Sequence, residues 1–157
     1  MDLKKIQLVI FDFDGVFTDN NVNISENGLE SVNCCRSDGL GISRLKSIGI
    51  PNYIISTESN KVVSVRAKKL NIPVFQNIKD KSQAVSSLCK ELGINLKNTM
   101  FVGNDINDIP ALKIVGFPVA VSDCYDEILP YVIFKTQKKG GRGAVREICD
   151  LIFNGLK

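Results

Sequence analysis

The sequence has 157 residues, 44% of them hydrophobic, which suits one domain built around one sizeable core. Its 20 basic and 17 acidic residues leave a formal charge of +3 with no Lys/Arg block longer than a pair, too mild a surplus for nucleic-acid binding. Histidine is absent, so acid–base chemistry falls to carboxylates, lysine, tyrosine or cysteine, and His-based triads and most zinc hydrolases are excluded.

Five cysteines (Cys34, Cys35, Cys89, Cys124, Cys149) form no C-x-x-C pair, an odd, scattered set that predicts reduced thiols in the cytoplasm. The apolar run at 6–11 is too short for a signal peptide or a membrane helix, so no membrane association is expected. That run reads instead as the first strand, buried on both faces, as do 53–55, 100–102 and 119–121. After the first strand, segments 21–25 and 29–33 flank the turn Glu26-Asn27-Gly28 and predict a β-hairpin flap over about 16–36. A helix follows over 39–48, with Asp38 as N-cap and Gly49 and Pro51 as stops. Asn60 caps a second helix over 61–70, and Asp80 a third over 81–92, which stops at Gly93. Another helix begins near Pro110, and the glycine-rich stretch from Lys138 to Gly143 leads into a closing helix over 144–156. Strands alternating with helices predict an α/β, Rossmann-like three-layer sandwich with a central parallel sheet, in one domain spanning 1–157.

In an open parallel sheet, ligands bind beyond the carboxyl ends of the strands. Here those ends are polar: Asp12, Asp14 and Gly15 follow the first strand, Ser56, Thr57 and Glu58 the second, and Gly103, Asn104, Asp105, Asn107 and Asp108 the third. At least four carboxylates on one rim repel one another unless a cation joins them. Magnesium suits such a set, which offers hard oxygen donors and no nitrogen or sulfur. Taken singly, Asp12-Phe13-Asp14-Gly15 also reads as a capped turn, and the Asn104 to Asp108 stretch as a loop capping the next helix. It is their joint register at strand ends that points to a site. Lys81, at a helix start near the rim, can neutralise both a phosphate and Asp12. Ser56 can donate to a phosphate or satisfy the strand end.

These residues resemble the haloacid dehalogenase-like superfamily, whose four motifs occur here in order. Asp12-Phe13-Asp14-Gly15-Val16 matches the first, Ser56 the second, Lys81 the third, and Asn104-Asp105-Ile106-Asn107-Asp108 the fourth. The resemblance implies that Asp12 becomes an aspartyl-phosphate, and that Asp14 protonates the leaving oxygen and then activates water. It also implies that magnesium is held by Asp12, the backbone carbonyl of Asp14, and Asp105. The sequence is more closely similar to the small phosphatases of 2-keto-3-deoxy sugar acid biosynthesis, which serve lipopolysaccharide or sialic acid assembly and lack a separate cap domain. That likeness rests on Gly15-Val16-Phe17-Thr18-Asp19, Ser37-Asp38-Gly39-Leu40-Gly41-Ile42 and Gly140-Gly141-Arg142-Gly143-Ala144-Val145-Arg146-Glu147. It implies a homotetramer whose neighbouring subunits help close each site.

The expected activity is hydrolysis of 3-deoxy-octulosonate 8-phosphate or a nonulosonate 9-phosphate. Gly15, Thr57, Glu58, Asn104, Asp108 and Arg142 make up the expected substrate-binding set. Glu58 stands where the octulosonate branch has Arg and so resembles the nonulosonate branch, whereas Arg142 resembles the octulosonate branch and is expected to grip the substrate carboxylate through a bidentate fork. Two other classes compete. One is a non-catalytic oligomerisation domain like the C-terminal domain of CMP-sialate synthetases, but assembly alone needs no cluster of Asp12, Asp14, Lys81 and Asp105. The other is a phospho-accepting receiver, whose acceptor lacks a catalytic Asp two residues on.

Overall fold

A computed structural model describes residues 1–156. In chain order it comprises β1 (Leu8–Phe11), β2 (Thr18–Ile24), β3 (Glu30–Cys34), α1 (Asp38–Ser47), β4 (Asn52–Ile55), α2 (Lys61–Leu70), β5 (Val74–Phe75), α3 (Lys81–Leu92), β6 (Thr99–Gly103), α4 (Ile109–Leu112), β7 (Phe117–Ala120), β8 (Phe134–Lys135) and α5 (Ala144–Gly155). Six strands form one parallel sheet in the order β5-β4-β1-β6-β7-β8, and β2 and β3 form a separate antiparallel pair.

Alternate residues of the central strands feed two cores, which is why these strands read as unbroken apolar runs. Val9, Phe11, Met100, Val102 and Val119 face one layer, packed with Ile42 and Leu45 of α1, Val63 of α2, and Ile148 and Ile152 of α5. Leu8, Ile10 and Phe101 face the other, with Val85 and Leu88 of α3 and Ala111 and Leu112 of α4. The chain lays β4 on one side of β1 and β6 on the other. The carboxyl ends of β1, β4 and β6 therefore flank the switch point where a parallel sheet leaves a crevice.

Local signals hold at most helix ends. The Asn60 side chain accepts the Val62 N–H at the start of α2, and Asp80 accepts that of Gln83 at the start of α3, which closes on Gly93. Asp38 departs from expectation. Ser37 occupies the cap position of α1 without a side-chain cap bond, and Asp38 lies in the first turn, fully buried, accepting the Arg146 N–H of α5 at 3.2 Å. Burial pushes its carboxyl up to about 6 against the lowering effect of that N–H and of Arg66 and Arg146.

The insertion between β1 and α1 is the hairpin alone. It lies within the expected 16–36, but its first strand begins at Thr18 rather than at 21, and the register shifts between Thr18 and Val22 before regular pairing of Val22 with Val32. Two strands escaped the sequence reading, β5 and β8, each two residues long, as did a 3-10 segment at Asp126–Tyr131. Among the described residues, no helix is long and apolar enough to cross a membrane.

Candidate active site

Asp12 stands one residue past β1, 3% exposed. Its Oδ1 accepts the Phe13 N–H at 2.7 Å and lies 2.8 Å from Lys81 Nζ. Both contacts use Oδ1, so Oδ2 is the oxygen left to face a ligand. Lys81 is the first residue of α3, delivered to the rim by the Asp80 cap, and its fully buried ammonium also meets Asp108 Oδ1 at 2.6 Å. Asp108 ends the 3-10 turn after β6, and its Oδ2 accepts the N–H groups of Asn104 at 2.8 Å and Asp105 at 3.3 Å. Gly103 permits this approach, since a Cβ there would collide with the Asp108 carboxylate.

Burial raises both carboxyls that follow β1. Burial, followed by the charge of Asp108, pushes Asp12 up to about 7, against the pull of Lys81. Asp14 is raised by burial and then by Glu58 and Glu30. Burial works against the Lys81 charge, but Asp12 and Asp108 outweigh it and hold the ammonium above its ordinary value. One cation thus faces two buried carboxylates, a local deficit of positive charge.

A cavity of about 70 Å³ gathers Asp12, Asp14, Thr57, Asn104 and Asp105, with Asn20 and Asn107 completing the wall. It accommodates an ion and a phosphoryl group but not a sugar. Every side-chain donor in it is oxygen or amide, and Asp12 needs a further cation to ionise fully, which fits a hard divalent ion. Among the described residues no three Asp, Glu or Cys side chains form a metal cage. An ion here would bind two carboxylates at most and keep waters or backbone oxygens, the habit of magnesium. A second cavity of about 300 Å³ shares Asp14 and Asn20 and continues along the flap past Glu30 and Glu58, between Val22, Val32 and Val62.

Ser56 is buried at the end of β4, where its Oγ accepts the Glu58 N–H at 3.1 Å; its hydroxyl proton remains available. Gly15 takes a left-handed φ of 76°, donates its N–H to Thr18 Oγ1, and leaves space for the Asn104 side chain, which a Cβ would strike. Glu58 lies in the second cavity. Asp108, expected to touch substrate, is instead fully buried behind Lys81, because its two oxygens are taken up by Lys81 and by backbone N–H groups. Arg142 is likewise outside the Asp12 cavity. Its exposed guanidinium lies 3.4 Å from Asp19 and lines a different hollow of about 630 Å³ at the start of α5, because Gly140 and Gly141 bind Asp123 and the Val16 carbonyl and fix the loop there.

Sequence reasoning missed Asn20 and Glu30 as site residues. A cue for Asn20 was available, since asparagine in a polar strand start is a residue type that tolerates left-handed backbone, and Asn20 has φ 62°.

Residues 46–148 match the sequence profile of haloacid dehalogenase-like hydrolases. Over 150 residues the chain is 37% identical to the 3-deoxy-D-manno-octulosonate 8-phosphate phosphatase of Escherichia coli, covering 95% of this chain and 80% of that one. With so much aligned, this likeness takes in Asp12 and Asp14, which the family profile leaves out. The fold superposes with a TM-score of 0.94 on the phosphatase of that name from Moraxella catarrhalis, solved with a magnesium ion, a phosphate ion and a KDO molecule; identity is 35%, covering 98% and 89% of the two chains. The phosphatase of that name from Yersinia pestis also gives a TM-score of 0.94 at 35% identity, covering 99% and 84%.

Proposed function

This chain belongs to the haloacid dehalogenase-like hydrolase family, and from that membership we propose that it cleaves the phosphate monoester of a 2-keto-3-deoxy sugar acid, with 3-deoxy-D-manno-octulosonate 8-phosphate as substrate. The observation that carries the reading is the shared cavity of Asp12, Asp14 and Asp105 with Lys81 2.8 Å from the first. Nucleophile, acid and cation ligands thereby meet where one phosphoryl group fits.

Asp12 Oδ2 attacks phosphorus, the bond from phosphorus to the sugar oxygen breaks, and Asp14 gives its proton to that oxygen. The Asp14 carboxylate then takes a proton from water as the water oxygen attacks the aspartyl-phosphate, which frees phosphate and restores Asp12. Burial and the neighbouring Glu58 and Glu30 favour the protonated Asp14 that the first step needs. Burial and Asp108 push Asp12 up as well, against Lys81, so the ionised nucleophile calls for a further positive charge beside it. Magnesium would be held by Asp12, the Asp14 carbonyl and Asp105, and supplies positive charge against the phosphate oxygens. Ser56 and Thr57 provide hydroxyls at the phosphate end.

Glu58 supports a nonulosonate 9-phosphate as a second reading, since it stands in the leaving-group cavity where the octulosonate branch has Arg, and a carboxylate there accepts hydrogen bonds from sugar hydroxyls. Enclosure by neighbouring subunits in a homotetramer is in keeping with Val22, Ile24 and Leu29, all exposed on the flap. Five free thiols are in keeping with a cytoplasmic setting.

Phosphate release from both sugar acids tests the proposal. Asp12→Asn should abolish turnover with the fold intact, and Asp14→Asn should lower kcat by ~10²- to 10⁴-fold. An active Asp12→Asn protein would end the covalent mechanism.

A further inference from the structure

The base of the flap is crowded with polar side chains, and nearly all are committed to one another. Asp19 accepts the Asn21 N–H at 3.3 Å and is approached by Asn33 and Arg142, and the Asn21 amide donates to the Asp19 carbonyl at 3.1 Å. Asn20 is different. Its backbone N–H is used on Thr18 Oγ1 at 3.2 Å, but its side-chain amide has no hydrogen-bond partner among the described residues. Its left-handed φ of 62° falls within the stretch where the β2–β3 register shifts, which lifts it out of the regular ladder. There it forms part of the wall of both the Asp12 cavity and the larger flap cavity.

Apart from the Asn21 amide, which is engaged with the Asp19 carbonyl, the other polar side chains of the flap cavity are carboxylates. Glu58 spends one oxygen on the N–H groups of Ser59 and Asn60, and Glu30 spends one on the Asn60 amide, so each keeps an oxygen for a ligand beside Asp14. A sugar hydroxyl both donates and accepts, and a wall of carboxylates answers only the first half of that demand. Asn20 holds the one side-chain amide on this wall that has no hydrogen-bond partner among the described residues; the Asn21 amide beside it is engaged with the Asp19 carbonyl. Resting on the proposed phosphatase reading, we infer that Asn20 is a specificity-determining residue. Its amide donates to a leaving-group hydroxyl next to the ester oxygen, so the flap cavity admits the neutral, hydroxyl-rich end of the substrate and excludes its carboxylate.

Two variants isolate this role. Asn20→Gly removes the amide and keeps the left-handed backbone without strain, whereas Asn20→Asp keeps the shape but replaces the donor with another carboxylate. Steady-state kinetics of the magnesium-loaded protein would compare octulosonate 8-phosphate with phenyl phosphate, an ester without hydroxyls. Asn20→Gly should raise KM for the sugar phosphate by ~3- to 10-fold, the worth of one hydrogen bond, with little change in kcat and a much smaller effect on phenyl phosphate. Asn20→Asp should be worse than Asn20→Gly on the sugar and only slightly different on phenyl phosphate. Equal losses on both esters, or no change on the sugar phosphate in either variant, would overturn the inference. If the wild type fails on octulosonate phosphate, the substrate reading falls by itself. Sorbitol 6-phosphate then takes the place of the sugar acid, with the same ranking of the variants expected and the same outcomes overturning it, and a wild type inert on every ester refutes both.

Discussion

Asp108→Ala tests whether Asp108 works through Lys81 or on the substrate. The change deletes the carboxylate that meets Lys81 Nζ at 2.6 Å and accepts the N–H groups of Asn104 and Asp105. Removing one member of a buried pair costs ~3–5 kcal/mol, and the low end applies because Lys81 keeps Asp12 at 2.8 Å. The orphaned Asn104 N–H adds ~1–3 kcal/mol, less than additively because the groups share one partner. The expected loss is about 4 kcal/mol, a large share of the ~5–15 kcal/mol typical of a domain. At ~2–4 °C per kcal/mol for a chain of this size, Tm should fall by roughly 8–16 °C. Thermal unfolding and steady-state kinetics on the same preparation separate the alternatives. The structure predicts a large fall in Tm, a lower kcat as Lys81 loses its anchor beside Asp12, and a nearly constant KM. A Tm close to wild type with a raised KM would refute this reasoning and return Asp108 to the substrate.

What could be read from the sequence was whatever is decided by neighbours along the chain. The strands β1, β4, β6 and β7 were legible because residues on both faces are buried, leaving unbroken apolar runs. That Asp12, Asp14 and Asp105 gather at one cavity was legible because the end of a parallel strand fixes where the next few side chains go. The two-residue strands β5 and β8 were not, since so short a segment shows no periodicity. Long-range partners account for the other differences. Asp38 has the chemistry of an N-cap, but the N–H it accepts belongs to Arg146, 108 positions away. Arg142 has the chemistry of an anion grip, but its loop is tied to the flap base and its charge meets Asp19, 123 positions away. Asp108 looked like one more rim carboxylate until the packing of α3 placed a lysine against it.

Chelation gives a direct test of the cation. EDTA should remove activity and magnesium restore it, and in Asp105→Ala the magnesium affinity measured by calorimetry should fall by at least ~10-fold, a loss that even outer-shell changes can cause. The last prediction concerns Asp38, whose Oδ1 accepts the Arg146 N–H while its buried Oδ2 has no partner. Its carboxyl rises from 3.8 to about 6, so the folded protein holds the proton more tightly than the unfolded chain does. The resulting stability is fully present below pH 3.8 and is lost as pH rises through about 6. At ~1.4 kcal/mol per pH unit the loss is about 3 kcal/mol at pH 8. Asp38→Asn keeps an oxygen for Arg146 and never ionises, so it should exceed wild type in urea midpoint at pH 8, with the gap narrowing as pH falls toward 4. Because both proteins share every other titrating group, the difference between them isolates this one carboxyl. A gap that is constant with pH, or a wild type more stable than the variant at pH 8, would mean that the buried charge at the α1–α5 contact is compensated in the folded state.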